Sequence, residues 1–306
     1  MTKARSARCG ARVWRRQPQR VSHLARQAGV RPFEVGYAGL KDRRGVTTQW
    51  FTVPARRGGV QDWAGRVGEG YEILEAHRHT RKLPRGALAG NRFTLVLRGF
   101  TGSREALERR VAEIAVEGVP NYFGPQRFGR ELGNLAVLRG EPVRGERGFA
   151  YSAARSLIFN AVLAERLAAG HWNRLLPGER ANLEGSNSTF RVEAIDETLR
   201  QRLAALDIHP TGPLWGEGES GVTGEVAELE SSVASRYPAL LELLRADRLA
   251  SARRPLRMVV RDLALRWLPE ADACELQFSL RGGSFATTVV RELVHLDDAT
   301  GAEEHA

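Results

Sequence analysis

Strand-like segments lie near both ends of this chain, and helix-like segments lie between them. β-Branched or alternating runs occur near the start at 46–53, 71–79 and 92–98, and near the end at 258–267 and 275–280. The strongest helical patterns, 152–169 and about 225–248, fall in the middle. This order predicts one α/β domain interrupted by an inserted helix-rich domain.

Start and stop signals predict further helices around the strands. Apolar residues recur at helical spacing in 19–28, and Gly29 follows them as a stop signal. Ser103 is expected to cap a helix that runs to about Glu117, with acidic residues in its first turns. Ser284 is expected to cap a last helix that runs to Val294.

Composition excludes several classes of protein. Of the 306 residues, 42% are hydrophobic and 27% are charged, which is typical of a globular protein. No apolar run approaches the roughly 18 residues that a membrane-spanning helix needs. Two cysteines, Cys9 and Cys274, form neither a disulfide framework nor a metal-site spacing. We therefore expect a cytoplasmic protein with no membrane partner.

The formal net charge of +10 favours a polyanionic partner. Only Lys3, Lys41 and Lys82 are lysines, so the other 43 of the 46 basic residues are arginine. A GC-rich genome produces the same bias without any function. The charge therefore supports a nucleic-acid partner only where arginine is interleaved with aromatic residues and turns.

The segment GYAGLKDRRGVTTQWFTV, residues 36–53, places one acid among cations. Asp42 lies between Lys41 and Arg43, and Gly45 closes the predicted turn before the strand-like run. Cations this close favour the ionised carboxylate, which suits an acid that meets a phosphate-bearing substrate. The spacing also fits a turn aspartate balanced by its own salt bridges, and this alternative stays open.

A second segment combines aromatic, amide and basic side chains with two glycines. Its members in 121–130 are Asn121, Tyr122, Phe123, Gln126, Arg127, Phe128 and Arg130. Aromatic faces stack on unpaired bases, arginines bind phosphates, and amides read base edges. We expect Arg127 to bind substrate on this basis. A buried aromatic corner between a helix and a strand is the open alternative.

Near the C-terminus, RGGSFATTVVREL joins a glycine pair to a serine at a predicted helix start. Helix N–H groups there could bind an anion, and Phe285 could pack on an extruded base or close the cap. An ordinary capped helix is the alternative reading. His77 and His79 have no further ligands nearby, so no metal is expected. Without a nucleophilic-serine or phosphate-loop motif, the chemistry must come from a carboxylate.

Five segments together resemble the TruD family of tRNA pseudouridine synthases. They occur in the family's order and span about residues 20–296: GYAGLKDRRGVTTQWFTV, HRHTRKLPRGALAGNRFTLVLRG, VPNYFGPQRFGRELGNL, YSAARSLIFNAVLAERL and GGSFATTVVREL. The resemblance implies isomerisation of uridine to pseudouridine in tRNA, at position 13 in bacterial members. It implies no cofactor and no metal.

The resemblance also implies a fold and a set of site residues. The catalytic aspartate is Asp42, in AGLKDR, with Lys41 as the basic residue beside it. Asn121 and Phe123 in PNYFG, and Phe285 in GSFAT, fall on positions near the target base. The expected fold is a pseudouridine-synthase α/β domain with a mixed, largely antiparallel sheet and an inserted helix-rich TruD domain.

This resemblance sets the expected domain boundaries. The catalytic domain is expected at 19–141 plus 255–298 and the inserted domain at 142–254, with disordered tails at 1–18 and 299–306. We expect a monomer whose partner is tRNA.

The chain departs from the family pattern at its start. Residues 1–18 lack the F-x-V-x-E strand of the family, and loss of that strand is expected to expose a sheet edge. This departure leaves open a non-catalytic tRNA-binding protein. A carboxylate hydrolase would need a second acid paired with Asp42, and the sequence offers no obvious one.

Overall fold

The first ninety residues form a unit of their own around a five-stranded sheet. In this computed structural model the described residues are 6–13, 17–39, 45–54, 63, 65–68, 71–84, 86–141, 147–246, 248–269 and 272–296. The chain divides into the compact units Met1–Ala89 and Gly90–Ala306. The strands of the first unit are β1 (Ser6–Val13), β2 (Gly36–Tyr37), β3 (Thr47–Pro54), β4 (Val67–Gly68) and β5 (Tyr71–His79).

These five strands pair antiparallel in the order β2-β3-β1-β5-β4. Helix α1 (Gln17–Ala28) confirms the predicted helix at 19–28, and Gly29 ends it with a left-handed φ of 62°. Leu24 is buried against an apolar cluster that includes Phe51 and Ile73. The helix therefore covers one face of the sheet through the apolar stripe read from the sequence.

The prediction of a disordered tail was wrong for Ser6–Val13. This segment is β1, which pairs with β3 on one side and β5 on the other. Its backbone hydrogen bonds are supplied by two neighbouring strands, and such pairing does not require the F-x-V-x-E pattern. The sheet edges among the described strands are β2 and β4.

The second unit contains the remaining strands and helices. Its strands are β6 (Gly90–Leu97), β7 (Val119–Pro120), β8 (Arg180–Leu183), β9 (Thr189–Arg191), β10 (Ile208–Leu214), β11 (Ala252–Pro255), β12 (Arg257–Met258), β13 (Arg261–Trp267) and β14 (Cys274–Arg281). Its helices are α2 (Arg104–Glu117), α3 (Arg147–Ala168), α4 (Glu197–Ala204), α5 (Gly224–Ser235), α6 (Pro238–Ala246) and α7 (Ala286–Leu293).

A three-stranded sheet joins distant parts of this unit. Strand β14 pairs with β6 from Cys274↔Leu97 to Arg281↔Gly90, and with β13 on its other side. Helices α2 and α7 contribute to the same apolar cluster as Phe278 in β14. Ser103 caps α2 by accepting a hydrogen bond from Ala106 N at 3.1 Å, as predicted. The expected mixed α/β fold with antiparallel sheets is confirmed.

Between β7 and β12 the chain makes a long excursion that contains most of the helices. Helix α3 is buried on one face between Ala150 and Arg166, and a four-stranded sheet of order β11-β10-β8-β9 lies in this part. The single helix predicted at about 225–248 is instead two helices. The helical conformation is interrupted at Tyr237, the residue before Pro238. The predicted boundaries of the inserted domain, 142–254, stay a prediction.

A buried ion pair stabilises the excursion from within. Arg166 in α3 and Glu179 are only 2% and 0% exposed, and their closest charged atoms are 3.3 Å apart. Glu179 also accepts hydrogen bonds from Leu176 N at 3.0 Å and Thr211 N at 3.1 Å. Arg166 donates to the carbonyls of His171 and Arg174. The Arg166 guanidinium and the Glu179 carboxylate therefore both have hydrogen-bonding partners in place of water.

Glu184, His209, Arg257 and Arg261 form a second polar network. Arg257 Nε can only donate, so its 3.0 Å bond makes His209 Nδ1 an acceptor. His209 Nε2 then carries the proton and donates to Glu184 Oε2 at 3.0 Å. Arg261 Nη2 donates to the other carboxylate oxygen at 2.8 Å. The hydrogen bond from His209, with that from Arg261, lowers the pKa of Glu184 to about 2.

We predict that Glu179→Ala lowers the free energy of unfolding by about 3–5 kcal/mol, because the Arg166 charge stays buried without its carboxylate. Urea unfolding measures this change. Glu165→Ala is the control, since Glu165 pairs with Arg236 at the surface and such pairs contribute about 0–1 kcal/mol. Equal losses in the two variants would contradict the prediction.

We also predict acid sensitivity from Glu184. Its folded pKa near 2 lies below the ordinary value of 4.5, so its stabilisation is complete above pH 4.5 and is lost as the pH falls towards 2. The loss is on the order of 3 kcal/mol. Glu184→Gln should flatten the unfolding free energy over this pH range, whereas exposed Glu242→Gln should follow the wild type. A wild-type-like acid dependence in Glu184→Gln would contradict the assignment.

Candidate functional site

Lys41 and Asp42 lie outside the described residues, in the segment 40–44. The backbone on both sides of this segment is described. Strands β2 and β3 pair antiparallel, with Gly36 opposite Thr52 and Tyr37 opposite Phe51. The strand predicted at 46–53 is thus present as β3, and the short strand β2 precedes the Asp42 segment.

The basic turn at 81–82 packs beside these two strands within the first unit. Leu83 N donates to Thr52 Oγ1 at 2.9 Å, and Lys82 Nζ donates to the carbonyl of Phe33 at 2.6 Å. A Cβ atom at Gly36 would lie 2.6 Å from the Leu83 carbonyl oxygen. Glycine is therefore required at position 36 for this close approach.

The aromatic loop predicted at 121–130 follows β7 in the second unit. It contains a single 3-10 turn, Pro125–Arg127, closed by a hydrogen bond from Phe128 N to Pro125 O at 2.9 Å. Gly129 has a φ of 78°, which favours glycine. The two glycines Gly124 and Gly129 thus border a compact turn that presents Gln126 and Arg127.

Asn121 uses both polar atoms of its amide inside the protein. Its Nδ2 donates to Pro255 O at 2.8 Å, and its Oδ1 accepts from Arg254 Nη2 at 2.6 Å. The residue is 6% exposed. Both polar atoms of this amide are thus engaged within the protein, and the predicted contact of Asn121 with the target base stays a prediction.

Phe123 is likewise part of the packed interior. It is 8% exposed and contacts Phe159 edge-on, with ring centroids 5.4 Å apart. Asn160 fixes its backbone, accepting from Phe123 N and donating to Phe123 O, both at 2.9 Å. The alternative of a buried aromatic corner therefore describes Phe123 in this structure.

Two arginines lie against the Phe123 ring. The guanidinium carbon of Arg254 is 4.1 Å from the ring centroid, and that of Arg127 is 5.2 Å from it. Burial, and secondarily the positive charge of Arg127, lowers the pKa of Arg254 to about 10. The hydrogen bonds of these guanidiniums go to Asn121 and Ser152, and none goes to a carboxylate of the described residues.

A cavity of about 420 Å³ opens beside Arg127. It is lined by two aromatic rings, two carboxamides, one guanidinium and one hydroxyl, belonging to Gln126, Arg127, Asn134, Phe149, Ser152 and Phe285. Arg127 Nη1 donates to Ser152 Oγ at 3.0 Å, which fixes the guanidinium at the cavity wall. The structure thus brings the predicted residues Arg127 and Phe285 to one cavity.

Phe285 reaches the cavity in a way that the sequence did not predict. Helix α7 begins at Ala286, and the capping position is Phe285 rather than Ser284, without a side-chain capping hydrogen bond. The predicted helix start at Ser284 was therefore wrong by two residues. Phe285 has an extended backbone with φ −115° and ψ 128°, and its half-buried ring forms part of the cavity wall.

Phe149 is a cavity residue that sequence reasoning missed. It lies in the first turn of α3, two residues after the helix begins, and is 60% exposed. The predicted helix started at 152, so Phe149 was not assigned to any element. The sequence carried no signal for this residue, because its exposure and its place in the first turn of α3 are seen only in the structure.

The chemistry of this cavity suits a flat heterocycle attached to a phosphate. Phenylalanine rings can stack on a base, carboxamides can read its edge, and a guanidinium can bind a phosphate. Among the described residues, no group of three or more His, Cys, Asp or Glu side chains could hold a metal ion. In the same part of the chain, no helix is long and apolar enough to cross a bilayer.

Comparison with known proteins identifies the class to which this fold and cavity belong. The family model described as "tRNA pseudouridine synthase D (TruD)" matches residues 12–144 and 149–293. The chain belongs to the TruD family.

Named relatives in bacteria are similar over most of the chain. The tRNA pseudouridine synthase D of Nitrosococcus oceani is 47% identical over 286 residues, covering 91% of this chain and 80% of the relative. That of Methylococcus capsulatus is 46% identical, covering 90% and 79%. That of Pseudomonas aeruginosa PAO1 is 44% identical, covering 89% and 78%.

A solved structure supports the fold. The crystal structure of a TruD protein from Methanosarcina mazei superposes with a TM-score of 0.71 and covers 96% of this chain and 89% of its own. Its sequence is only 20% identical, so the similarity concerns the fold alone.

We predict that Arg254→Met changes the free energy of unfolding by less than about 2 kcal/mol. Loss of the bond to Asn121 costs about 1–3 kcal/mol. Burial lowers the pKa of the Arg254 guanidinium to about 10, so removing this buried charge stabilises the folded state by a similar amount. Arg166→Met leaves the Glu179 carboxylate buried without its partner. It should lower the free energy of unfolding by about 3–5 kcal/mol in the same urea titration. Equal large losses in both variants would contradict this balance.

Proposed function

We propose that this chain isomerises uridine to pseudouridine in tRNA, at position 13, with Asp42 as its catalytic carboxylate. The observation that carries the proposal is membership of the TruD family over nearly the whole chain. Relatives named tRNA pseudouridine synthase D at 44–47% identity support the reaction. The cavity beside Arg127 supports a base as ligand.

The reaction breaks the N1–C1′ bond of uridine, turns the uracil and forms a C5–C1′ bond. The hydrogen on C5 leaves to water, and N1 gains a proton. An ionised carboxylate can attack the sugar as a nucleophile or take a proton from it. Asp42 has Lys41 and Arg43 as neighbours in the sequence, and positive charge keeps a carboxylate ionised. Lys41 is the proposed electrostatic partner.

The target base must leave its stack before it can react. We assign the cavity lined by Phe149 and Phe285 to the extruded uracil, with Arg127 at the adjoining phosphate. Asn121 and Phe123 are assigned a structural role, in which they hold the loop that carries Arg127 in place and do not contact the base. Their internal hydrogen bonds and packing carry that assignment.

Charge and chemistry are consistent with tRNA as the partner. The net charge of +10 favours association with a polyphosphate. We propose a cytoplasmic location, where tRNA is modified, and a monomeric state. Neither a cofactor nor a metal enters the proposed reaction.

Tritium release tests the assignment of Asp42. The protein is incubated with tRNA labelled with tritium at C5 of uridine, and release to water is followed over time. We expect release by the wild type and a decrease of roughly a thousandfold or more in Asp42→Asn, because the amide cannot act as nucleophile or base. Asp207→Asn is the control, since Asp207 pairs with Arg202 at the surface.

Two other outcomes of the tritium-release experiment would contradict the proposal in different ways. Release that persists in Asp42→Asn would remove the catalytic role of Asp42. Salt-dependent binding of tRNA without release by the wild type would instead indicate a non-catalytic RNA-binding protein.

A further inference from the structure

Gln126 differs from the other amides around the proposed base cavity. Asn121 uses both amide atoms internally, and Asn134 Nδ2 donates to Arg127 O at 3.2 Å. Gln126 lines the cavity and is exposed, and no hydrogen bond of its side chain is described to any other described residue. Its acceptor oxygen and its two N–H donors are therefore available to a ligand.

The backbone makes room for the carboxamide of Gln126. A Cβ atom at Gly124 would lie 2.5 Å from Gln126 Oε1 and 2.8 Å from Nε2, so the amide lies directly over this glycine. Gly124 has φ −77° and ψ 168°, a conformation open to any residue. Glycine at 124 thus leaves space for the carboxamide, which a methyl group there would displace.

The edge of uracil matches such an amide. Around N3 the base presents an N–H donor between the acceptors O2 and O4. A carboxamide oxygen can accept from N3–H while its N–H donates to either neighbouring carbonyl oxygen. This bidentate pairing satisfies both groups of the amide, as paired amides do on other base edges.

The same pairing survives the turn of the base. Exchange of N1 and C5 at the sugar corresponds to a half-rotation of uracil about the axis through N3 and C6. This rotation leaves N3–H in place and exchanges O2 with O4, both of which are acceptors. An amide bound at N3–H therefore makes the same hydrogen bonds before and after isomerisation.

We propose that Gln126 holds the N3 edge of the target uracil while the base turns in this cavity. The inference rests on the proposed function, because it assigns the recognition group of the same site. Arg127 and the rings of Phe149 and Phe285 contact the phosphate and the faces of the nucleotide, and these contacts do not distinguish uracil from cytosine. Gln126 is the group of this cavity that contacts the edge of the base.

Single-turnover tritium release from C5-labelled tRNA tests the proposal in the full-length protein. Gln126→Ala should react about tenfold more slowly than the wild type, the loss expected for two hydrogen bonds to a neutral base. Gln126→Glu should be slower than Gln126→Ala, because a carboxylate repels O2 and O4. Gly124→Ala should also slow the reaction, since its methyl group displaces the carboxamide. Thermal unfolding should be unchanged in Gln126→Ala.

A modified substrate isolates the hydrogen bond. In tRNA whose target is C5-labelled N3-methyluridine, the methyl group should slow the wild type at least tenfold and should slow Gln126→Ala much less. Gln201→Ala, a change at an exposed glutamine in α4, should match the wild type on both substrates. Wild-type rates in Gln126→Ala, or an equal methyl effect in both proteins, would overturn the inference alone. Absence of release by the wild type would overturn the proposed function and the inference with it.

Discussion

Asn121 joins the two ends of the long excursion that the chain makes between β7 and β12. Its backbone N–H donates to Leu256 O, and its side chain donates to Pro255 O, both at 2.8 Å. The short β7–β12 ladder continues this contact, with Pro120 opposite Arg257. The excursion between β7 and β12 therefore comprises residues 121–256. The aromatic loop and Arg254 lie together because they occupy its two ends.

The guanidiniums of Arg127 and Arg254 lie close together near this junction, and their proximity destabilises the folded protein. The buried arginines Arg166 and Arg253 are paired with the acids Glu179 and Glu230. Arg254 has instead an amide, an aromatic ring and a second guanidinium around it, and its pKa is lowered to about 10. A buried charge without a counter-charge is unfavourable unless a ligand supplies one. A phosphate at Arg127 would reduce the repulsion between the two arginines.

Most elements of the fold were predictable because local patterns determine them. The periodicity of α1 and the Ser103 cap of α2 were correct. The position of β1 was not predictable from its own residues, since its hydrogen bonds come from β3 and β5. Among the predicted site residues, Arg127 and Phe285 line the cavity, whereas Asn121 and Phe123 are buried and make their contacts within the protein. The roles predicted for Asp42 and Lys41 stay predictions.

The limit of sequence reasoning is clearest at the pair Arg253 and Arg254. The two residues are identical and adjacent, and both lie in β11. Side chains alternate along a strand, so the first donates to the Glu230 carboxylate at 2.6 Å and the second to Asn121 Oδ1. One arginine is thus neutralised, while the other stays a charge without an acid. Only knowledge of which residues face each side of β11 separates them, and Glu230 and Asn121 are supplied by chain 23 and 133 residues away.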